Sequence, residues 1–234
     1  MIVNRPRCMI QCGEVLPIIT SPQNCIAPTT ALRIAAPYAP YLAVLAGMYL
    51  LHSAWAAVLL YHLGMALVLF LDRGWREARK PGAGRQPLNL IATSLFGLCG
   101  GALLYFLWPL LGLPRGFGAS LAGFGITPAA WPLFIAYFCA VNPWLEEVYW
   151  RGYLGDPSVR LIPNDFLFAG YHVLVLASFL RRPWLIAMLA GLIAAGWVWR
   201  QQARRTGGLL APMVSHFLAD TSIFITVYLL AIRR

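Results

Sequence analysis

Residues 34–71 read IAAPYAPYLAVLAGMYLLHSAWAAVLLYHLGMALVLFL, without a single Asp, Glu, Lys or Arg. A helix needs about 20 mainly apolar residues to cross the hydrocarbon core of a bilayer. Its part from 38 to 71 is too long for one upright span and barely long enough for two. His52-Ser53 near its middle, followed by Ala54-Trp55, predicts a tight hairpin of short helices. Outward from here, charge-free runs recur at 86–114, 116–145, 166–180, 183–199 and 206–219. Their apolar residues are continuous and do not alternate with polar ones, which argues against an outer-membrane barrel. The expected fold is all-α: a polytopic transmembrane helical bundle of about 6–7 spans.

Composition agrees. The chain has 234 residues, 60% hydrophobic and 11% charged, against roughly 25% charged in a soluble domain. Its mean hydropathy is +0.68. The net charge of +10 points to anionic lipid rather than nucleic acid, because the bases sit in short clusters between apolar runs. The loops at 72–87, 151–163 and 200–206 hold ten of them, while Arg115, Arg181, Arg182, Arg233 and Arg234 lie opposite. The first side is expected to be cytoplasmic, in a prokaryotic plasma membrane. Residues 1–36, interrupted by Pro17, Pro22 and Pro28, lack the apolar core of a signal peptide and read as a flexible tail before a membrane domain at 37–234. Five cysteines, an odd count without metal-type spacing, give no disulfide framework.

The remaining helices are legible from their punctuation. One span is expected over about 88–113. Thr127-Pro128 predicts an N-cap with proline in the first turn, opening a helix to about Gly152 with a kink at Pro143. Further helices are expected at about 164–180, 183–202 and 210–232.

Ionisable residues within such spans are costly, at least about 2.5–3.5 kcal/mol each on insertion scales. Here they concentrate in three places: Glu146-Glu147 with Arg151, His172, and His216 with Asp220. Consecutive helices alternate in direction, so all three fall about 7–12 Å beneath the same face at a rise of about 1.5 Å per residue. One shared polar cavity near the cytoplasmic side is the expectation. Its inventory suits hydrolysis: a buried carboxylate as base, one imidazole to orient water and another to donate to an oxyanion. Ser215 adjoins His216, but neighbouring helical positions point about 100° apart, so the attacking group is expected to be water. The same four residues, Glu146, His172, His216 and Asp220, are also candidates for holding a divalent metal.

Glu146-Glu147-Val148-Tyr149-Trp150-Arg151 resembles the EExxxR motif of the CAAX protease and bacteriocin-processing family (Abi), which are glutamate-type intramembrane endopeptidases. Phe168-Ala169-Gly170-Tyr171-His172 is similar to that family's FxxxH motif, and His216-Phe217-Leu218-Ala219-Asp220 to its HxxxN/D motif. The motifs come in the family's order, within residues 128–224. The resemblance implies that Glu146 activates water together with His172, and that His216 and Asp220 form the oxyanion side. Glu147 and Arg151 would be supporting residues, and Phe168 would shape the cavity wall. Asp220 departs from the usual Asn. An ionised Asp only accepts hydrogen bonds, so an oxyanion role would need it protonated; orienting His216 or ligating a metal are the alternatives. The implied substrate is a membrane-associated protein or peptide.

Other readings stand beside this one. Glu147 and Arg151 alone would also suit a structural i,i+4 ion pair. Buried Glu, His and Asp chains also occur in transporters and proton relays, and a non-catalytic immunity or scaffold protein could retain the fold. His52 and His62 match no motif and read as packing or interfacial residues. Tyr149 and Trp150 are candidates for a substrate entrance.

Overall fold

The computed structural model describes residues 30–76, 87–114 and 116–232. Among them the chain is entirely helical: α1 Thr30–Ala35, α2 Ala39–Val44, α3 Ala54–Leu71, α4 Pro87–Leu107, α5 Phe117–Gly123, α6 Trp131–Glu146, α7 Pro163–Leu176, α8 Arg182–Thr206 and α9 Leu210–Val227, with short 3-10 and π segments between several of them. Five helical stretches are long and apolar enough to cross a membrane: Ala31–Leu50, Ala54–Leu71, Leu90–Leu110, Arg182–Thr206 and Leu210–Ala231. The shorter α6 and α7 carry much of the polar site. Most of the 1–36 tail, the basic loop beyond Arg76, Arg115 and the last two arginines lie outside the described residues.

The expected hairpin is present. His52 takes a positive φ of 47°, and the Ser53 side chain accepts from the Ala56 amide at 3.1 Å, capping α3. Gly47 lets the two arms touch: a Cβ there would lie 2.1 Å from the Ala57 Cα.

The α4–α9 pair is held by a second close approach. Gly97 and Gly101, four apart on α4, meet the α9 backbone; a Cβ on them would lie 2.2 Å from the Ser215 carbonyl oxygen and 2.5 Å from the Ser222 carbonyl carbon. Small residues at this spacing let helix backbones pack where lipid removes most of the hydrophobic drive. Large side chains such as Leu42, Leu63, Phe70 and Phe106 stay exposed, as expected of faces solvated by acyl chains. The buried core gathers instead around Tyr149, Trp150, Tyr153, Phe168 and Met65.

Two helix boundaries differ from expectation. The regular helix expected from Thr127-Pro128 runs from Trp131, although Thr127 makes the expected cap contacts: its Oγ1 accepts from the Ala130 amide at 3.2 Å and its carbonyl from the Trp131 amide at 2.9 Å. Pro132 takes the first-turn position instead, where a missing N–H is harmless. Helix α7 ends at Leu176 rather than near 180, since α8 opens with Pro183 in its first turn and needs an extended Arg181 before it.

Helix α6 continues beyond Pro143 into a π-helical turn, Glu147–Tyr153. Proline removes one helical hydrogen bond and crowds the preceding turn, and π turns inside helices frequently occur at functional sites. Here the π segment begins between the two glutamates.

Arg200 fixes how this segment meets α7. Its guanidinium donates to both Asp165 oxygens at 3.0 and 2.7 Å, and to the carbonyls of Asp156, Ser158 and Arg160. Asp165 also accepts from the Ile162 amide at 3.0 Å, at the start of α7. Arg151 and Arg200, counted above as loop charges, are therefore buried and committed to ion pairs.

Candidate active site

The carboxylates of Glu146 and Glu147 are 1% and 0% exposed, and each is held differently. Glu146 Oε1 receives two tyrosine hydroxyls: Tyr61 of α3 at 2.8 Å and Tyr171 of α7 at 2.5 Å. The Trp150 indole donates in turn to the Tyr61 oxygen at 3.4 Å. Glu146 Oε2 has no hydrogen-bond partner among the described residues; His216 Nε2 lies 3.7 Å from it.

Glu147 faces the opposite way. Its Oε1 accepts from His216 Nδ1 at 2.8 Å and lies 3.2 Å from Arg151 Nη1. The Arg151 guanidinium sits 4.1 Å from the centre of the Phe168 ring and 5.2 Å from that of Trp199, a cation–π setting that helps hold a buried charge. The His216 ring stacks on Trp199, with centroids 4.2 Å apart and planes at 16°. Ser215 Oγ accepts from the Trp199 indole at 3.0 Å and so points away from the carboxylates.

With Nδ1–H directed at Glu147, the other nitrogen of His216 faces two acids. Nε2 lies 3.7 Å from Glu146 Oε2 and 3.6 Å from Asp220 Oδ2. Both gaps exceed hydrogen-bond length, so Nε2 is committed to neither. Asp220 Oδ2 accepts instead from Asn142 Nδ2 at 3.1 Å.

His172 stands one step back. A backbone carbonyl can only accept, so the 2.9 Å contact of Nδ1 with Phe168 O places the proton on Nδ1. Nε2 then faces the Tyr171 hydroxyl at 3.1 Å. The Tyr171 proton thus has two acceptors within reach, Glu146 Oε1 and His172 Nε2. Phe168 packs at the centre of the cluster, its ring 5.0 Å from that of His172 and 6.4 Å from that of His216.

Glu146, Glu147, Arg151, Phe168, His216 and Asp220 are brought together as the helical arithmetic expected, and His172 joins through Tyr171. Tyr61, Tyr171, Asn142, His62 and Trp199 were not foreseen. Asn142 stands one helical turn before Glu146 and Tyr171 immediately before His172, so their positions carried a weak signal. Nothing in α3 alone indicated that Tyr61 and His62 face this cluster. His62, read above as a packing residue, is buried and hydrogen-bonded to Asn142 at 3.2 Å. Tyr149 and Trp150 do not line an entrance: both are buried, and the Tyr149 hydroxyl donates to the Ala36 carbonyl at 2.7 Å.

The metal expectation has a geometric test. Among the described residues, no three His, Cys, Asp or Glu side chains converge closely enough to hold a metal ion. Both His172 nitrogens and His216 Nδ1 already face protein partners, so the four candidates do not form a ligand set as placed.

Residues 128–222 match the family model described as type II CAAX prenyl endopeptidase Rce1-like. The match spans all three motifs through Asp220 and agrees with the resemblance they carry. The segment is thus similar to CAAX-type membrane proteases. Neither the curated proteins nor the solved structures provide a match to the chain.

Proposed function

We propose that the protein is an intramembrane endopeptidase that hydrolyses a peptide bond of a membrane-associated protein or peptide with water activated by Glu146. The observation carrying this reading is that Glu146 Oε2, without a hydrogen-bond donor among the described residues, stands 3.7 Å from His216 Nε2. A base and a potential oxyanion donor then stand side by side in a buried site, where fixed dipoles act more strongly than in water.

Water attacks the scissile carbonyl carbon as Glu146 Oε2 takes one of its protons. The carbonyl oxygen becomes an oxyanion, which the Nε2 proton of a doubly protonated His216 stabilises, its Nδ1 proton being held by Glu147. The carbon–nitrogen bond breaks, Glu146 returns its proton to the leaving amine, and the products are a carboxyl and an amino terminus. Tyr61 and Tyr171 hold Oε1 so that Oε2 faces the reaction, and His172 is coupled to the base through the Tyr171 hydroxyl. Glu147 holds the Nδ1 proton of His216 and so orients the ring. The site lies nearer the cytoplasmic face of a plasma membrane, a placement supported by Arg73 and Arg76 after α3 and by Arg204 and Arg205 in the last turn of α8.

The test is complementation of a deletion in the native host with wild type or Glu146→Gln at matched expression, followed by mass spectrometry of protein termini in membrane and secreted fractions. Termini that require Glu146 support proteolysis and identify the substrate. Identical termini with both variants rescuing any phenotype would indicate a scaffold. Rescue by wild type alone, without altered termini, would indicate transport.

A further inference from the structure

The polar site extends beyond the three motifs, through residues that none of them contains. Asn142 is 2% exposed and lies between His62 of α3 and Asp220 of α9. Its Oδ1 is 3.2 Å from His62 Nε2, and its Nδ2 donates to Asp220 Oδ2 at 3.1 Å. His62 Nδ1 is 2.9 Å from the Tyr137 hydroxyl.

Hydrogen-bond chemistry gives this row one direction. An ionised Asp220 can only accept, so Asn142 must turn its amide nitrogen toward it and its oxygen toward His62. His62 then needs its proton on Nε2, which leaves Nδ1 to accept from Tyr137. Every link is satisfied in this order. Flipping the Asn142 amide would face its oxygen against a carboxylate oxygen at 3.1 Å, an arrangement without a proton between two acceptors.

The geometry points to a positioning relay, His62–Asn142–Asp220, that holds the Asp220 carboxylate toward His216. Asp220 serves there as a counter-charge beside the imidazole, 3.6 Å from Nε2, leaving the Nε2 proton free for the oxyanion. This deepens the endopeptidase reading and rests on it. It also answers the departure at Asp220: the amide found elsewhere at that position is supplied here from the glutamate helix, one turn before Glu146. Asn142 and Asp220 form a carboxamide–carboxylate pair whose two halves could be exchanged. His62 and Asn142 are positioning residues because each acts through Asp220.

The exchange is the experiment. Asn142→Asp, Asp220→Asn, the double exchange, His62→Leu and His62→Gln are expressed in the native membrane at matched levels. The probe is the precursor whose terminus differs between wild type and Glu146→Gln, followed as a time course of product formation. Folded protein is counted by the monodisperse fraction after detergent extraction. Asn142→Asp, which sets two carboxylates together, is expected to lower the rate per folded molecule by about tenfold or more. The double exchange restores the pair and is expected to recover to within about threefold of Asp220→Asn alone. His62→Leu is expected to lose about fivefold, with most of that recovered by His62→Gln, whose amide can still donate to Asn142.

A rate for Asn142→Asp equal to wild type, or a double exchange no faster than Asn142→Asp, would overturn the relay. If Asn142→Asp does not fold, the His62 pair decides: equal rates for His62→Leu and His62→Gln overturn the relay, and rescue by Gln supports it. Failure of the protease reading looks different, because no terminus would then depend on Glu146 in the wild type, and the relay would fall with it.

Discussion

His216 Nδ1 lies 2.8 Å from Glu147 Oε1, so the second glutamate of the pair, not the first, holds the imidazole. This contact puts a proton on Nδ1 and directs Nε2 toward Glu146 and Asp220. Second partners of this kind fix the tautomer and orientation of functional histidines. The same oxygen is the partner of Arg151 at 3.2 Å, which joins a structural ion pair to the chemistry.

The two duties of Glu147 should separate. Arg151→Leu leaves a buried carboxylate without its cation and is expected to destabilise the protein by about 3–5 kcal/mol. Replacing both partners with Glu147→Leu and Arg151→Met should recover most of that stability, since apolar pairs often substitute well for buried ions. Activity should not return, because His216 Nδ1 would still lack its acceptor. Thermal unfolding in detergent and product formation, measured on the same preparations, check both halves.

Tyr171 and Tyr61 should matter for rate more than for folding. Each donates a hydrogen bond to a carboxylate, an interaction of about 1.5–3 kcal/mol. Tyr171→Phe is expected to slow turnover by about tenfold or more, and Tyr61→Phe by a similar factor. Tyr171→Phe with His172→Ala should be no slower than the worse single variant, since Tyr171 is the link through which His172 reaches Glu146. Turnover at saturating substrate is the measurement.

The α4–α9 contact gives a stability prediction independent of catalysis. Gly101→Val places carbon where the Ser222 backbone lies 2.5 Å from the Cβ position. Overpacking of this kind costs about 1–3 kcal/mol, so a lower melting temperature is expected. Gly123→Ala is the control: nothing lies within 4 Å of its Cβ position, and the melting temperature should stay near that of wild type.

Arg200 should govern the loop between the π turn and α7. Arg200→Lys keeps the charge but loses the planar fork that reaches Asp165 and three carbonyls together. Faster proteolytic cleavage within residues 155–162 is expected, with peptide mapping as the readout.

These cases show what sequence could reveal. Depth within a helix follows from a rise per residue, so Glu146 and His216 could be placed at one level beneath the same face by counting. Facing could not be obtained that way. Tyr61 and His62 sit in an unbroken apolar run, and only the packing of α3 against α6 and α7 turns them toward the carboxylates. The charge count put Arg151 and Arg200 with the basic loops, although the helices expected to Gly152 and over 183–202 also contained them. The hairpin at His52-Ser53 was legible because a polar pair inside an apolar run has few other uses.

The central claim is that the Glu146 carboxylate is the base. Its most direct test is reconstitution of wild type and Glu146→Gln in liposomes with the precursor identified in vivo, at equal folded protein, with initial rates of cleavage measured. The account predicts a loss of about a thousandfold or more in Glu146→Gln, since the amide keeps the shape but cannot accept the proton from water. Cleavage by Glu146→Gln within a few-fold of wild type, at the same bond, would contradict it.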